Sequence, residues 1–172
     1  MKRLMNNIVF IGFMGAGKST LAKMLAKEIK TIVVDTDKII ENMEGKKIKK
    51  IFESSGEEYF RELEKKVALW LEKSVQNTVI STGGGFIHAE NLNKIGKVIY
   101  LKSTYDGIIK RLKTHPQTKK KFAKRPLLHD AKKAKELFKK RESLYEEKAD
   151  FVIDIEKFNN EKEIIKEIMK IF

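Results

Sequence analysis

Gly12-Phe13-Met14-Gly15-Ala16-Gly17-Lys18-Ser19 has the pattern G-x-x-x-x-G-K-S and lies between an apolar run, residues 8–11, and an amphipathic stretch, residues 20–29. A phosphate-binding loop needs this order of strand, glycine-rich turn and helix, because backbone N–H groups must point into a concavity around a polyphosphate. Lys18 then reaches the β- and γ-phosphates, and Ser19 offers a hydroxyl to the magnesium ion bound with the nucleotide. The flanking pattern disfavours the alternative, a glycine turn that only caps an ordinary helix.

The length and composition of the chain favour a single cytoplasmic domain. Its 172 residues fit one domain, residues 1–172, and the absence of Cys excludes disulfides, thiolate catalysis and zinc sites with cysteine ligands. The basic residues 1–4 precede an apolar run that stops at Gly12, which is typical of a buried strand rather than a signal peptide. No apolar stretch approaches the roughly 20 residues that span a bilayer, so we expect no membrane partner.

The formal net charge of +13 raises a second possibility, a basic module that binds nucleic acid. The 37 basic residues include only five Arg, and the Lys residues are spread over nearly every predicted helix. Scattered lysines are typical of solvated faces, whereas a nucleic-acid site more often interleaves Arg with aromatic residues on one element. We therefore expect no nucleic-acid partner. The scarce Arg residues instead mark positions that need a planar, bidentate donor for carboxylate or phosphate.

Short β-branched runs alternate with helical segments along the chain. The predicted strands are residues 8–11, 31–34, 78–81, 97–101 and 151–155. The predicted helices are residues 18–29, 57–73, 89–94, 105–113, 131–147 and 161–171. The second of these helices has a predicted core face of Leu63, Val67, Leu69, Trp70 and Leu71. The alternation predicts a parallel sheet with helices on both faces and binding residues at the carboxyl ends of the strands.

Carboxylates and glycines follow the second and third predicted strands. Asp35-Thr36-Asp37 directs one carboxylate toward a metal and the other toward a substrate hydroxyl if the strand breaks there, although aspartates also cap helices. Gly83-Gly84-Gly85 lacks Cβ atoms, so its backbone can approach a ligand closely or adopt positive φ. Coupled to the phosphate-binding loop, these segments predict a binding site at the strand ends.

Two further features leave alternatives open. Arg61 and Glu64 are three residues apart on one helical face, so the carboxylate can hold the guanidinium in place; the alternative is an ordinary surface ion pair. The polar, lysine-rich residues 114–124 precede Arg125, which predicts a mobile lid over about residues 113–127; the alternative is a solvated loop. The histidines have no metal-ligand spacing, and we assign no role to His88, His115 or His129.

Six motifs, taken in order, resemble those of shikimate kinases. They are G-x-x-G-x-G-K-S at residues 12–19, D-T-D at 35–37, F-x-x-x-G-x-x-x-F-R-x-x-E at 52–64, T-G-G-G at 82–85, R-P-L-L at 125–128 and R-x-x-x-Y at 141–145. The resemblance implies a P-loop, nucleoside-monophosphate-kinase-like α/β fold, with a five-stranded parallel sheet in the order 2-3-1-4-5 flanked by helices and a mobile lid. It also implies magnesium-dependent transfer of the γ-phosphoryl group of ATP to the 3-hydroxyl of shikimate, in aromatic amino acid biosynthesis.

The resemblance implies roles for individual residues. Those for ATP are Gly12, Gly15, Ala16, Gly17, Lys18, Ser19, Thr20, Arg111 and Arg125. Those for shikimate are Asp37, Phe52, Phe60, Arg61, Glu64, Gly83, Gly84, Gly85 and Arg141. Ser19 and a water held by Asp35 would bind Mg²⁺, and the catalytic residues would be Lys18, Asp37 and Arg125.

In more detail, Arg61 and Arg141 would bind the carboxylate of shikimate, with Glu64 orienting Arg61. Asp37 would contact the shikimate hydroxyls, either positioning them or accepting the reacting proton, and Arg125 would reach the transferring phosphate from the lid. Arg111 would lie on the adenine side of ATP. After the fifth strand, Lys157 is the candidate for a contact with adenine. The enzyme alternative is gluconate kinase, which shares the fold but lacks the D-T-D, T-G-G-G and F-R-x-x-E combination. We expect a monomer.

Overall fold

The structure is a computed structural model that describes residues 6–114 and 126–172. Its five strands form one parallel sheet in the order β2-β3-β1-β4-β5, which confirms the predicted fold class. The strands are β1 (Asn7–Ile11), β2 (Val33–Asp35), β3 (Val79–Ser81), β4 (Gly96–Lys102) and β5 (Phe151–Asp154). All five predicted strands are therefore confirmed, with small differences at their ends.

Seven α-helices surround the sheet within the described residues. They are α1 (Lys18–Glu28), α2 (Thr36–Glu44), α3 (Ile48–Ser74), α4 (Leu92–Ile95), α5 (Tyr105–Thr114), α6 (Ala131–Lys148) and α7 (Glu161–Met169). Single 3₁₀ turns occupy Phe86–His88, Pro126–His129 and Ile155–Lys157. The structure thus confirms four predicted helices closely, those that correspond to α1, α5, α6 and α7.

The prediction was incomplete between β2 and β3 and inaccurate before β4. Helix α2 was missed, although Asp35 caps its first turn by accepting from Lys38 N at 3.2 Å and Gly45 ends it with a φ of 61°. Helix α3 begins at Ile48 rather than at residue 57, and Gly56, with φ 79° and ψ 177°, divides it into two helical segments. Only part of predicted helix 89–94 is helical, because α4 begins at Leu92.

Two apolar layers lie on opposite faces of the sheet. Ile8 and Phe10 of β1 pack with α1 and α7, whereas Val9 and Ile11 pack with α3 and α6. A strand buried on both faces is continuously apolar rather than alternating, which explains the run before the glycine-rich loop. No helix among the described residues is long and apolar enough to cross a membrane.

The predicted core face of α3 was partly wrong. Leu63, Val67 and Leu71 are buried, but Leu69 and Trp70 have exposed fractions of 50% and 45%. The three buried residues are spaced by four, so they form one stripe on a helix of 3.6 residues per turn, and positions 69 and 70 lie outside it. Trp70 is therefore a surface residue.

The predicted lid, residues 113–127, falls mostly outside the described residues. Helix α5 includes Lys113 and ends at Thr114, and the described chain resumes in the 3₁₀ turn Pro126–His129. Arg125, to which a catalytic and an ATP-binding role were assigned, and His115 lie in the undescribed part.

Candidate active site

The glycine-rich loop follows β1 and leads directly into α1. Gly12, Gly15 and Gly17 have φ angles of 142°, 90° and 95°, which side chains with a Cβ rarely adopt. Lys18 folds back over this loop: its Nζ donates to the carbonyl oxygens of Gly12 at 2.6 Å and Phe13 at 3.0 Å. Because Gly17 has no side chain to cap α1, the first amide groups of the helix are available to a phosphate.

Ser19 lies in the first turn of α1, beside the ends of two strands. Its Oγ donates to Asp35 Oδ2 at 3.1 Å and lies 3.1 Å from Ser81 Oγ. Asp35 and Ser81 are register partners at the carboxyl ends of β2 and β3. Asp35 therefore both caps α2 and lies beside Ser19, so its capping role is compatible with the predicted role at a magnesium site. Thr20, next to Ser19, is exposed.

Asp37 lies in the first turn of α2 and contacts Gly83, which follows β3. A Cβ built on Gly83 would lie 2.5 Å from Asp37 Oδ1, and Gly83 N donates to Thr36 Oγ1 at 3.0 Å. Burial raises the pKa of Asp37 to about 6, and the neighbouring Asp35 carboxylate acts in the same direction, whereas Lys18 opposes it. The protein therefore withdraws this carboxylate from water near the phosphate-binding loop.

Arg61 is held between two carboxylates on α3. Its Nη1 donates to Glu64 Oε2 at 2.5 Å, and its Nη2 donates to Glu57 Oε1 at 2.7 Å. Glu64 is buried, and burial raises its pKa while Arg61 lowers it. The guanidinium passes so close to Gly85 that a Cβ built there would overlap it. The pairing of Arg61 with Glu64 is thus more than an exposed surface contact.

Two aromatic side chains adjoin Arg61. The rings of Phe52 and Phe60 lie with their centroids 4.6 Å apart, and the Arg61 guanidinium carbon lies 5.6 Å from the centre of the Phe60 ring. Phe60 is buried and Phe52 is exposed. The two residues therefore form one apolar contact beside the guanidinium, on either side of the break at Gly56.

Arg141, on α6, has an exposed fraction of only 7%. A Cβ built on Gly84 would lie 3.5 Å from its Nη1. Among the residues that the structure describes, none accepts a hydrogen bond from its buried Nε. A buried donor left without an acceptor costs about 1–3 kcal/mol, so an anionic ligand at this position would offset a penalty that the described residues leave in place.

The three glycines bring the predicted shikimate residues together. Asp37, Arg141 and Arg61 lie over Gly83, Gly84 and Gly85 respectively. This arrangement places the Asp37 carboxylate, within electrostatic reach of Lys18, at the first of the three glycines and the guanidinium groups of Arg141 and Arg61 at the other two. A small molecule that carries a hydroxyl at one end and a carboxylate at the other matches that distribution of charge.

Arg111 extends from α5 to the start of α1. Its Nη1 donates to Ala16 O at 3.1 Å and would lie 3.0 Å from a Cβ built on Gly17. The structure thus brings Arg111 to the glycine-rich loop. Lys157, in the turn after β5, is paired with Asp154 at 3.8 Å.

Sequence analysis missed several residues around this site. Ser81 was predicted only as the last residue of the third strand, and Tyr145 only completed a motif, yet the Tyr145 hydroxyl donates to Gly84 O at 2.6 Å. Glu57 is the second partner of Arg61. His88 is exposed overall, but partial desolvation and the positive charge of Arg141 lower its pKa, so it lies within electrostatic reach of that arginine. The position of His88, three residues after the glycines, was the available signal.

Comparisons with known proteins agree with this arrangement. A family model for shikimate kinase matches residues 14–172. This chain belongs to the shikimate kinase family. A shikimate kinase of Clostridium botulinum is 47% identical over 148 residues, 83% of this chain and 84% of that protein, and one of Helicobacter hepaticus is 41% identical over 150 residues, 87% of each.

A solved structure extends the comparison to the fold of the family. Shikimate kinase from Acinetobacter baumannii in complex with shikimate is 31% identical, with a TM-score of 0.84, and the match covers 98% of this chain and 93% of that one. As a member of the shikimate kinase family, the chain is an ATP-dependent kinase that phosphorylates shikimate.

Proposed function

We propose that this chain binds shikimate over Gly83, Gly84 and Gly85, with the ring hydroxyls toward Asp37 and the carboxylate toward the arginines. The reaction transfers the γ-phosphoryl group of ATP to the 3-hydroxyl of shikimate and gives shikimate 3-phosphate and ADP, in aromatic amino acid biosynthesis. The observation that carries the proposed orientation is the contact of Asp37, Arg141 and Arg61 with three successive glycines.

Arg61 and Arg141 form the proposed carboxylate clamp. Glu64 and Glu57 fix the guanidinium of Arg61, so that residue loses little freedom when it binds a ligand. Arg141 contributes a second guanidinium, which is buried and whose Nε has no acceptor among the described residues. Planar guanidinium groups match the two oxygens of a carboxylate. Phe52 and Phe60 would then limit the pocket beside Arg61.

The phosphate-binding loop holds ATP in this proposal. Lys18 Nζ donates to neutral carbonyls in the structure, and a charged phosphate oxygen is a stronger acceptor that would draw it from them. The loop, with Gly12, Gly15, Ala16 and Gly17, supplies backbone N–H groups, and Thr20 follows at the helix start. Arg111, anchored on Ala16 O, would contact the nucleotide on its adenine side.

Magnesium fits the oxygen atoms around Ser19. Mg²⁺ usually keeps several waters and takes one or two protein oxygens together with substrate phosphates. Ser19 Oγ would be a direct ligand and Asp35 Oδ2, 3.1 Å from it, would accept from a bound water. No group of three or more His, Cys, Asp or Glu suited to a metal occurs among the described residues. When bound, the ion neutralises charge on the phosphate oxygens.

Asp37 would act on the reacting hydroxyl. The oxygen of the shikimate 3-hydroxyl attacks the γ-phosphorus, the bond between that phosphorus and the β–γ bridging oxygen breaks, and ADP leaves with the electron pair. The proton of the hydroxyl would pass to Asp37, whose pKa of about 6 leaves it ionised at neutral pH but more basic than an ordinary aspartate. Lys18 would stabilise charge on the transferred group.

The remaining parts of the proposal rest on sequence. Residues 113–127 would close over ATP as a lid and bring Arg125 to the transferring phosphate, and Lys157 remains the candidate for an adenine contact. We further propose that the protein works in the cytoplasm as a monomer, without nucleic-acid or membrane partners. The distribution of charge supports the absence of a nucleic-acid partner, because most of the basic residues are scattered lysines rather than arginines.

A coupled assay of ADP release tests the proposed reaction. With ATP and Mg²⁺ we expect turnover on shikimate and none on gluconate, and removal of Mg²⁺ by a chelator should stop turnover. Activity on gluconate without activity on shikimate would contradict the proposal. A pull-down with RNA at moderate salt tests the binding-module alternative, because nonspecific electrostatic binding weakens steeply as salt rises.

A further inference from the structure

We propose that Tyr145 is a positioning residue for the substrate carboxylate: it holds the Gly84 backbone and the Arg141 guanidinium in the arrangement that shikimate needs. The inference rests on the proposed role of Arg141 in the carboxylate clamp. Tyr145 acts through these two groups and is not placed against the reacting atoms.

The hydroxyl of Tyr145 is a fixed point in the site. It donates to Gly84 O at 2.6 Å, across 61 residues of sequence. The ring is fully buried and stacks on Tyr100, with centroids 5.2 Å apart and an angle of 26° between the ring planes. A ring packed in this way cannot shift without disturbing the core. The hydrogen bond therefore holds the backbone of Gly84 in a fixed position relative to the packed rings of Tyr100 and Tyr145.

The same hydroxyl lies next to Arg141. The two residues are four apart on α6, and side chains at this spacing lie on one face of a helix. Burial raises the pKa of Tyr145 to about 12, while the Arg141 guanidinium acts in the opposite direction. The hydroxyl is thus protonated at neutral pH and remains a donor to Gly84. Since Arg141 Nη1 also lies over Gly84, one backbone unit contacts both side chains.

A purely structural role makes a different prediction. If the hydroxyl served only to satisfy a buried carbonyl, its removal would lower the stability of the protein. The ratio of the KM for shikimate to the KM for ATP would then stay unchanged. A positioning role instead changes mainly the interaction with shikimate. Gly84 adjoins the loop, since a Cβ built on it would lie 3.6 Å from Met14 N, but Tyr145 donates to Gly84 O, whereas Lys18 and the loop glycines hold ATP in the proposed function.

Steady-state kinetics of Tyr145→Phe and Tyr100→Phe separate these roles. Both variants lose one hydroxyl from the same pair of stacked rings, but only Tyr145→Phe loses the bond to Gly84. We expect Tyr145→Phe to raise the KM for shikimate about 3- to 10-fold, with the KM for ATP changed by less than about twofold. Tyr100→Phe should leave both constants close to those of the unaltered protein. Equal effects of the two variants on shikimate KM, or equal effects of Tyr145→Phe on both substrates, would overturn the inference.

A double-mutant cycle with Arg141→Lys tests whether Tyr145 acts through Arg141. We expect the double variant to raise the shikimate KM by clearly less than the product of the two single effects, because the second change removes a group whose partner is already misplaced. A multiplicative result would overturn the inference. So would a Tyr145→Phe protein that unfolds while Tyr100→Phe stays folded in a thermal melt, since that assigns the hydroxyl to stability.

The failure of the proposed clamp is distinguishable from the failure of this inference. If Arg141→Lys leaves the shikimate KM unchanged, the clamp is wrong and the role of Tyr145 falls with it. If Arg141→Lys raises that KM and Tyr145→Phe does not, the clamp stands and only the inference fails. Incorporation of 4-aminophenylalanine at position 145, which restores a donor, should recover most of the lost affinity.

Discussion

The carboxylate of Asp37 lies directly against the backbone of Gly83. A Cβ at Gly83 would lie 2.5 Å from Asp37 Oδ1, and φ at Gly83 is not in the positive range that favours glycine. Glycine is needed here for space rather than for conformation. The side chain that uses this space belongs to the protein, so the absence of a Cβ shapes the site before any ligand binds.

Gly83→Ala should therefore damage shikimate use by displacing Asp37. We expect kcat/KM for shikimate to fall at least about tenfold, equivalent to about 1.4 kcal/mol of transition-state stabilisation. An Asp37→Ala background provides the control: there Gly83→Ala should cause little further loss, because the carboxylate that the new Cβ displaces is already absent. Steady-state kinetics of the two single variants and of the double variant check this, and a further loss as large as that caused by Gly83→Ala alone would contradict it.

Lys18→Ala should abolish turnover, because the γ-phosphate loses its cation. We expect kcat to fall by about a hundredfold or more, the range observed when one preorganised charge-stabilising donor is removed. Lys23→Ala, at an exposed position on the same helix, should keep kcat close to that of the unaltered protein. Near-normal kcat in a folded Lys18→Ala protein would show that this loop does not hold the reacting phosphate.

The pKa of Asp37 predicts an acidic limb in the rate profile. If the ionised carboxylate receives or orients the reacting hydroxyl, kcat/KM for shikimate should decline as pH falls through about 6, where Asp37 becomes protonated. An ordinary aspartate would place this limb about two pH units lower. Rates measured from pH 5 to 8, with saturating ATP and Mg²⁺, locate the limb. A flat profile down to about pH 5 would argue against the role of Asp37.

The raised pKa of Asp37 also affects the stability of the protein, but with the opposite dependence on pH: activity falls as pH falls, whereas stability falls as pH rises. Because the folded-state pKa lies above 3.8, the folded protein binds this proton more tightly than the unfolded chain, and that stabilisation is lost as pH rises through about 6. Asp37→Asn should consequently be more stable than the unaltered protein at pH 7.5, by at most about 3 kcal/mol. The difference should shrink near pH 4. Urea unfolding at both pH values measures it, and a variant less stable at pH 7.5 would contradict the assigned burial cost.

Sequence reasoning predicted the sheet well because its signals are local. Residues 8–11 are apolar without alternation since β1 is buried on both faces, and the loop that follows has glycines where positive φ is required. Helix α2 also had local signals, the Asp35 cap and Gly45, but the same aspartate was interpreted as a ligand. Capping was weighed only as the alternative to a ligand role, although the two roles are compatible, and the helix that the cap begins was not predicted.

The candidate site was predicted as a set of residues but not as a set of contacts. That Gly84 receives a hydrogen bond from Tyr145 depends on a separation of 61 residues, which no local pattern encodes. Ser81 next to Ser19 depends on strand register in the same way. The prediction that Trp70 belongs to the core was wrong for a different reason. Its apolar character suggested burial, but it lies outside the buried stripe that includes Leu63 and Val67.

Arg141→Lys should impair shikimate use selectively, and Arg111→Lys should do the reverse. Arg141 is buried over Gly84 with an unpaired Nε among the described residues, whereas Arg111 is anchored on Ala16 O at the phosphate-binding loop. A lysine keeps the charge but cannot reproduce the two parallel N–H···O bonds of a guanidinium.

The loss of one charge-assisted bond, about 1.5–3 kcal/mol, should raise the KM for shikimate roughly 10- to 150-fold in Arg141→Lys and leave the KM for ATP near its original value. Arg111→Lys should raise the KM for ATP with little effect on shikimate. Each variant is thus the control for the other in the same assay. If Arg141→Lys altered both constants equally, the arginine would act on the fold of the site and not on the carboxylate.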